Sequence, residues 1–213
     1  MFDFIRAWLF PPACVICDAP GLALCCACAP VPRDAIAFAL DGVPAFALGP
    51  YEGALRRAIV AMKRGERDPL DAFAGLLAAR ALIDGTLVPV PTSRARAAQR
   101  GFDQSVELAR RIASRRGVPF AHVLQNLGGA QAGRGRRERL AAVGRFRIQH
   151  GAGLPATATL LDDVCTTGAT LRDAVRLLRG AAVDVRCIVV LARTAAATLE
   201  AKPSRAPGGR WLT

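Results

Sequence analysis

Lysine and histidine are nearly missing from this 213-residue chain, and long apolar runs are missing altogether. Lys63 and Lys202 are the two lysines among 29 basic residues, a skew toward arginine that GC-rich coding alone can produce. The formal net charge of +12 therefore says little until its distribution is known. His122 and His150 stand isolated in the sequence, and neither reads as a catalytic base. The longest apolar runs, such as residues 187–192, fall far short of the ~18–20 residues a membrane-spanning helix requires. The first ten residues are apolar but contain Asp3 and Arg6 and run into Pro11 and Pro12. They lack the basic start, clean apolar stretch and small-residue cleavage site of a secretory signal. A short helix over residues 3–9 and a cytoplasmic location are expected instead. In a reducing cytosol the seven cysteines should not form stable disulfides. No internal repeat is present.

What remains is a chain with 52% apolar and 22% charged residues, enough to bury a core and too apolar for disorder. Its length suits one domain with a small attachment. Charge is unevenly spread. Residues 1–93 carry eight basic and nine acidic groups, whereas residues 94–147 carry thirteen arginines against Asp103, Glu107 and Glu138. Coding bias would not concentrate charge so, and residues 94–147 are read as the anion-facing segment.

Periodicity and punctuation outline the elements. Strands over 36–40 and 45–48, joined through Asp41-Gly42, read as a β-hairpin. Residues 51–64 have Leu55, Ile59 and Met62 at helical spacing, stopped by Gly65, and a second helix covers 69–83. A short buried strand is expected at 86–90. A helix over 103–116 turns Val106, Leu108, Ile112 and Ala113 inward and closes at Gly117. Residues 128–135 form a glycine-rich break, and 136–143 are at best a short helix. Strands at 158–161 and 183–191 flank a helix at 170–179, and residues 194–213 read as a loose tail. Strands alternating with helices predict an α/β domain with a mainly parallel sheet flanked by helices, over residues 34–193. Residues 1–33 form a separate small, zinc-ribbon-like module.

That module contains Cys14-x2-Cys17 and Cys25-x2-Cys28, two knuckles separated by seven residues. Four thiolates so spaced can surround one Zn²⁺ tetrahedrally, each pair arising from a tight turn. Cys26 is left over. All four positions being protein ligands, such a site is structural rather than catalytic. The alternative is a set of buried or redox-active thiols.

The most informative run is residues 158–170, in which an apolar strand delivers Asp162 and Asp163 toward its carboxyl end. Open α/β sheets bind ligands at that end. Thr166, Thr167, Gly168, Ala169 and Thr170 then turn into a helix, whose first N–H groups and hydroxyls can cradle a phosphate. Acids beside a phosphate cradle imply a sugar phosphate, often with Mg²⁺. The plainer alternative is a cap-rich strand–helix turn carrying two solvated acids.

This run resembles the PRPP-binding signature of type I phosphoribosyltransferases (PRPP being 5-phosphoribosyl 1-diphosphate). The four-Cys knuckle after Leu9-Phe10-Pro11-Pro12, the start at Tyr51-Glu52-Gly53 with Leu55-Arg56, and Val88-Pro89-Val90-Pro91 follow in order. Arg100-Gly101-Phe102-Asp103-Gln104 and Gln131-x-Gly133 complete a series that resembles the ComF (competence-associated, GntX-like) family over about residues 8–193. Two departures stand out. Arg134-Gly135 replace the family's Leu-Ser, and Ala142 stands where an Asn is usual. Cys165 occupies a position that is usually aliphatic and reads as packing.

The resemblance implies a type I phosphoribosyltransferase fold and a set of roles. Asp162 and Asp163 are the catalytic pair that would hold the ribose hydroxyls of PRPP, directly or through Mg²⁺. Residues 166–170 would wrap its 5-phosphate. Thr92, Ser93 and Arg94 fall where the family places its pyrophosphate loop, with Arg96 and Arg100 as further diphosphate ligands. Residues 128–147 would match a flexible closing loop. The implied reaction displaces pyrophosphate from C1 of PRPP by a nitrogen nucleophile, through an oxocarbenium-like transition state that needs no strong general base. PRPP carries roughly five negative charges, fewer than the basic segment can neutralise. The surplus, with the family's link to DNA uptake, suggests single-stranded DNA and a competence helicase as partners. The competing reading is then a non-catalytic DNA-binding competence factor that keeps the pocket as a sensor or relic. Against it, Phe102, Phe120 and Phe146 are the aromatics of that segment, too few for an evident base-stacking platform. The arginines of the 103–116 helix can equally be a solvated face.

Overall fold

The computed structural model describes residues 13–128, 142–143 and 145–195. The expected helix at 3–9 and most of the expected loop and tail lie outside the described residues. The strands are β1 (Ile36–Leu40), β2 (Val43–Pro50), β3 (Thr86–Pro89), β4 (Leu124–Asn126), β5 (Ala142–Val143), β6 (Phe146–Ile148), β7 (Thr157–Cys165) and β8 (Asp184–Arg193). The helices are α1 (Gly53–Lys63), α2 (Asp68–Arg80), α3 (Arg94–Arg100), α4 (Gln104–Arg116) and α5 (Ala169–Gly180).

Five strands form one sheet in the order β1-β2-β8-β7-β3, and β2, β8, β7 and β3 run parallel to their neighbours. Only the β1–β2 hairpin at its edge is antiparallel. This is the mainly parallel α/β architecture that the sequence predicts. The central strands are apolar on both faces because helices cover both. Successive residues of β8 alternate between them: Val189 and Leu191 pack with α1, α2 and α4, whereas Ile188 and Val190 pack with α5. A second, antiparallel sheet, β4-β6-β5, adds Leu124 and Phe146 to the α5 side.

The four-Cys segment is anchored to the body rather than tethered beside it. Leu24 is buried in the same core as α1 and α2, with Val15, Ile16 and Cys28 packed against it. Arg80 Nη1 donates to the Pro30 carbonyl at 2.7 Å.

Local chemistry explains the helix ends. Asp103 caps α4 by accepting from Ser105 N and Val106 N, and Gly117 closes it at φ 64°. Strands β4 and β6 have no counterpart in the sequence expectation, and three further elements differ from it. The strand expected at 158–161 continues as β7 through both acids, because its backbone stays paired with β8, Asp162 opposite Val190. Polar side chains do not end a strand whose ladder continues. Residues 142–143, expected in a short helix, are β5, which pairs antiparallel with the adjacent β6, itself held by the more distant β4. Helix α3 was not expected; Ser93 caps it and Ala/Arg-rich residues propagate it to Gly101 at φ 78°.

Candidate functional site

The parallel strands β3 and β7 end side by side, and a polar cleft opens at their carboxyl ends. Among its lining residues are Thr92, Arg96, Arg100, Asp162, Asp163 and Thr170, all singled out from sequence. Lys63, Gln104, Ser105, Asn126 and Arg145 join them.

Asp162 is 9% exposed. Its Oδ1 accepts from the Asp163 backbone N–H at 2.8 Å and from Ser105 Oγ at 3.3 Å. Burial, reinforced by the neighbouring Asp163 charge, pushes its carboxyl well above the ordinary range. The two hydrogen bonds and Lys63 oppose that shift without cancelling it. Asp163 points a carboxylate oxygen at Lys63 Nζ, 2.9 Å away. Consecutive strand residues face opposite sides of a sheet, which separates the two acids into a buried and a more accessible member.

The turn after β7 is built for close approach. Gly168 precedes α5 at φ 77°, and a Cβ there would lie 2.7 Å from Leu40 Cδ1. Both the left-handed backbone and the packing demand glycine. Thr166 and Thr167 are exposed, and Thr167 Oγ1 accepts from Ala169 N at 3.4 Å. Arg172 braces the turn, donating to the Thr167 carbonyl at 2.8 Å and to Asp41 at 3.0 Å.

No protein-family profile matches the chain, and no curated protein matches it significantly. Solved structures do. An orotate phosphoribosyltransferase from Aeropyrum pernix aligns at 15% identity and TM-score 0.44, covering 78% of each chain. An adenine phosphoribosyltransferase from Leishmania tarentolae aligns at 16% identity and TM-score 0.39, over 65% of this chain and 77% of that one. A phosphoribosylpyrophosphate synthetase from Mycobacterium smegmatis aligns at 20% identity and TM-score 0.31, over 59% of this chain and 33% of the synthetase.

Ser93 and Arg94, expected beside the diphosphate, do not line the cleft; Ser93 Oγ instead accepts from Arg96 N at 3.4 Å. Thr166, Thr167, Gly168 and Ala169 form the turn next to it, with Thr170 reaching the lining. Of the residues that sequence reasoning missed, Gln104 and Ser105 had a signal, since they end or follow the Arg100-Gly101-Phe102-Asp103-Gln104 motif. Lys63 was one of two lysines. Arg145 lay within the basic segment without being singled out, and Asn126 had no signal, because only the β4–β6 pairing brings it here.

Outside the cleft, the arginines of α4 are paired within the protein. Arg111 and Arg115 both reach Asp71, at 2.8 and 3.2 Å. Although desolvation works against it, these two guanidinium groups hold the Asp71 carboxyl below its usual range. Arg110 pairs with Glu107, and Arg116 donates to the Ala78 carbonyl at 2.7 Å.

The four knuckle cysteines meet: the Sγ atoms of Cys14, Cys17, Cys25 and Cys28 all lie within 4.8 Å of one another. Cys17 and Cys25 are 3.7 Å apart. A tetrahedron of Zn–S bonds of about 2.3 Å has edges of about 3.8 Å, so the spacing suits such an ion. Burial opposes ionisation of Cys14, yet the backbone N–H groups of Cys25, Ile16 and Cys17 bring its thiol down to about 6. Burial and the other three sulfurs push Cys28 up to about 12. Such crowded thiols ionise together only around a cation.

Proposed function

We propose that the cleft binds PRPP with Mg²⁺ and that the protein transfers its phosphoribosyl group to a nitrogen nucleophile, releasing pyrophosphate. The observation that carries this reading is the meeting of three features at one sheet end. They are an acidic pair with one member buried, a glycine-dependent turn into α5, and the basic side chains Arg96, Arg100, Lys63 and Arg145 opposite. The acids suit sugar hydroxyls or a divalent cation, the turn a monophosphate, and the basic groups a diphosphate. In this reading Asp162 and Asp163 would hold the ribose and Mg²⁺, Thr166 to Thr170 the 5-phosphate, and Arg96 and Arg100 the departing diphosphate. Mg²⁺ would supply charge neutralisation on the leaving group. The chain's own residues position the ring and stabilise departing charge, and none need act as a strong base. Calorimetry tests it: PRPP should bind with Mg²⁺, and Asp162→Asn with Asp163→Asn should abolish that binding. Unchanged affinity in the double variant would sink the assignment.

We further propose that Cys14, Cys17, Cys25 and Cys28 hold one structural Zn²⁺, which would pin residues 13–30 to the core beneath α1 and α2.

The second reading, a competence factor that binds single-stranded DNA beside a helicase and keeps the pocket as a sensor, rests on the family resemblance. Its charge argument is weakened by the pairing of Arg110, Arg111, Arg115 and Arg116 within the protein. Affinity for single strands falling with salt at about −0.7 per neutralised phosphate would revive it.

A further inference from the structure

Gln104 is 2% exposed and lines the cleft, yet half of its amide is unused. Arg100 Nη1 donates to its Oε1 at 2.8 Å. A guanidinium can only donate, so this bond fixes which end of the amide is oxygen. The other end, Nε2, carries two N–H groups and has no acceptor among the described residues. Native proteins seldom bury a donor unpaired, because it has lost water and gained nothing.

Neighbouring polar groups show no such deficit. Asn126 donates from Nδ2 to the Pro91 carbonyl at 3.0 Å and accepts from Gly128 N at 2.9 Å. Ser105 is committed to Asp162, and Lys63 to Asp163. The Arg96 side chain has no partner among the described residues either, but it is exposed and therefore solvated. Gln104 is thus a buried donor held at a set angle by a cation that itself faces the cleft.

The cations around it identify the acceptor. Arg96, Arg100, Lys63 and Arg145 share the lining. Asp163 is already paired with Lys63, and Asp162 accepts from Ser105 Oγ and the Asp163 backbone N–H. An oxygen entering this environment is favoured when it is anionic, and a charge-assisted bond from an amide is shorter and stronger than a neutral one. We propose that Gln104 is a ligand-binding residue whose Nε2 donates to a phosphoryl oxygen of a diphosphate group. This rests on the diphosphate reading above and deepens it, because Arg100 and Gln104 then form one two-armed clamp, the first supplying charge and the second direction. Nε2 is closed to water in the ligand-free protein, so this contact requires a lining side chain to shift. The sequence motif ending at Gln104 thereby gains a chemical role.

The test uses PRPP and, separately, inorganic pyrophosphate with Mg²⁺ as calorimetric probes of the full chain. Gln104→Glu keeps an oxygen for Arg100 and turns the donor into an anion. Affinity for both probes should fall by about 30-fold or more while the thermal midpoint holds or rises. Binding of Gln104→Glu within about twofold of wild type would overturn the proposal, since a residue that merely holds Arg100 would be preserved by this change. Gln104→Leu, measured alone and with Arg100→Ala, covers the case in which Gln104→Glu does not fold. A direct contact predicts that Gln104→Leu still costs about tenfold when Arg100 is absent, whereas action through Arg100 predicts no added loss. If wild type binds neither probe, the phosphoribosyltransferase reading itself falls. If wild type binds and the variants bind equally, only the role of Gln104 falls.

Discussion

Lys63 Nζ lies 2.9 Å from Asp163 Oδ2 and so places the charge of α1 against the acidic pair of β7. Their side chains are 27% and 19% exposed, which leaves the pair reachable by a competing cation. An ammonium and a divalent cation compete for that carboxylate, since each charge disfavours the other nearby.

Lys63→Met should therefore raise the affinity of the ligand-free protein for Mg²⁺. The gain should be about fivefold at most, because a partly exposed ion pair contributes about 1 kcal/mol or less. The same change should weaken binding of PRPP, which loses a cation beside its diphosphate. Titration with Mg²⁺ alone and then with PRPP separates the two. Mg²⁺ affinity that falls or stays constant in the variant would show that Lys63 does not compete at this oxygen.

Asp162 makes stability depend on pH in a defined direction. Its folded-state value is raised, so between the ordinary value of about 3.8 and the folded one the native state binds the extra proton. Stability is then fully present below that window and is lost as pH rises through it. Asp162→Asn removes the ionisation and should flatten this dependence, giving a higher thermal midpoint than wild type at neutral pH. Unfolding curves collected across pH for both proteins check it. A variant that is less stable at neutral pH would contradict the burial argument.

A side chain at Gly168 is strained by the left-handed backbone and crowds Leu40. Gly168→Ala places a methyl group 2.7 Å from Leu40 and keeps a left-handed backbone, at a cost of about 1–3 kcal/mol. A lower urea midpoint with an unchanged slope is expected. If stability is retained, β1 and the turn yield more easily than close packing implies.

One zinc per chain is the expected result of metal analysis, and replacement of Cys14 or Cys28 by Ser should remove it. Loss of the ion should also release residues 13–30 to proteolysis, since only Leu24, a few half-buried apolar contacts and the Arg80–Pro30 bond would then hold them. Purified wild-type protein without zinc would refute the assignment.

Much of the architecture was legible locally. The stripe of Val106, Leu108, Ile112 and Ala113 marks the buried face of α4, and all four are buried. Gly65 and Gly117 stop helices through positive φ, and the two CxxC spacings bring four thiols to one point. Such features depend on neighbours within a few residues, where backbone sterics and turn geometry act directly. The extent of β7 and the existence of β4 and β6 were not legible, because a strand is completed by partners far along the chain.

The same division applies to the site. Sequence alone determined that an acidic pair follows an apolar run and that a Thr/Gly turn comes after it, since both lie in one continuous stretch. Only tertiary structure decided what faces them. Lys63 arrives from α1, Gln104 and Ser105 from the start of α4, and Asn126 and Arg145 from the small antiparallel sheet. It also decided that the four arginines of α4 are engaged within the protein, two of them sharing Asp71, one on Glu107 and one on a carbonyl. Net charge can be counted along a chain. Whether a charge is free depends on distances that exist only after the sheet and helices have packed.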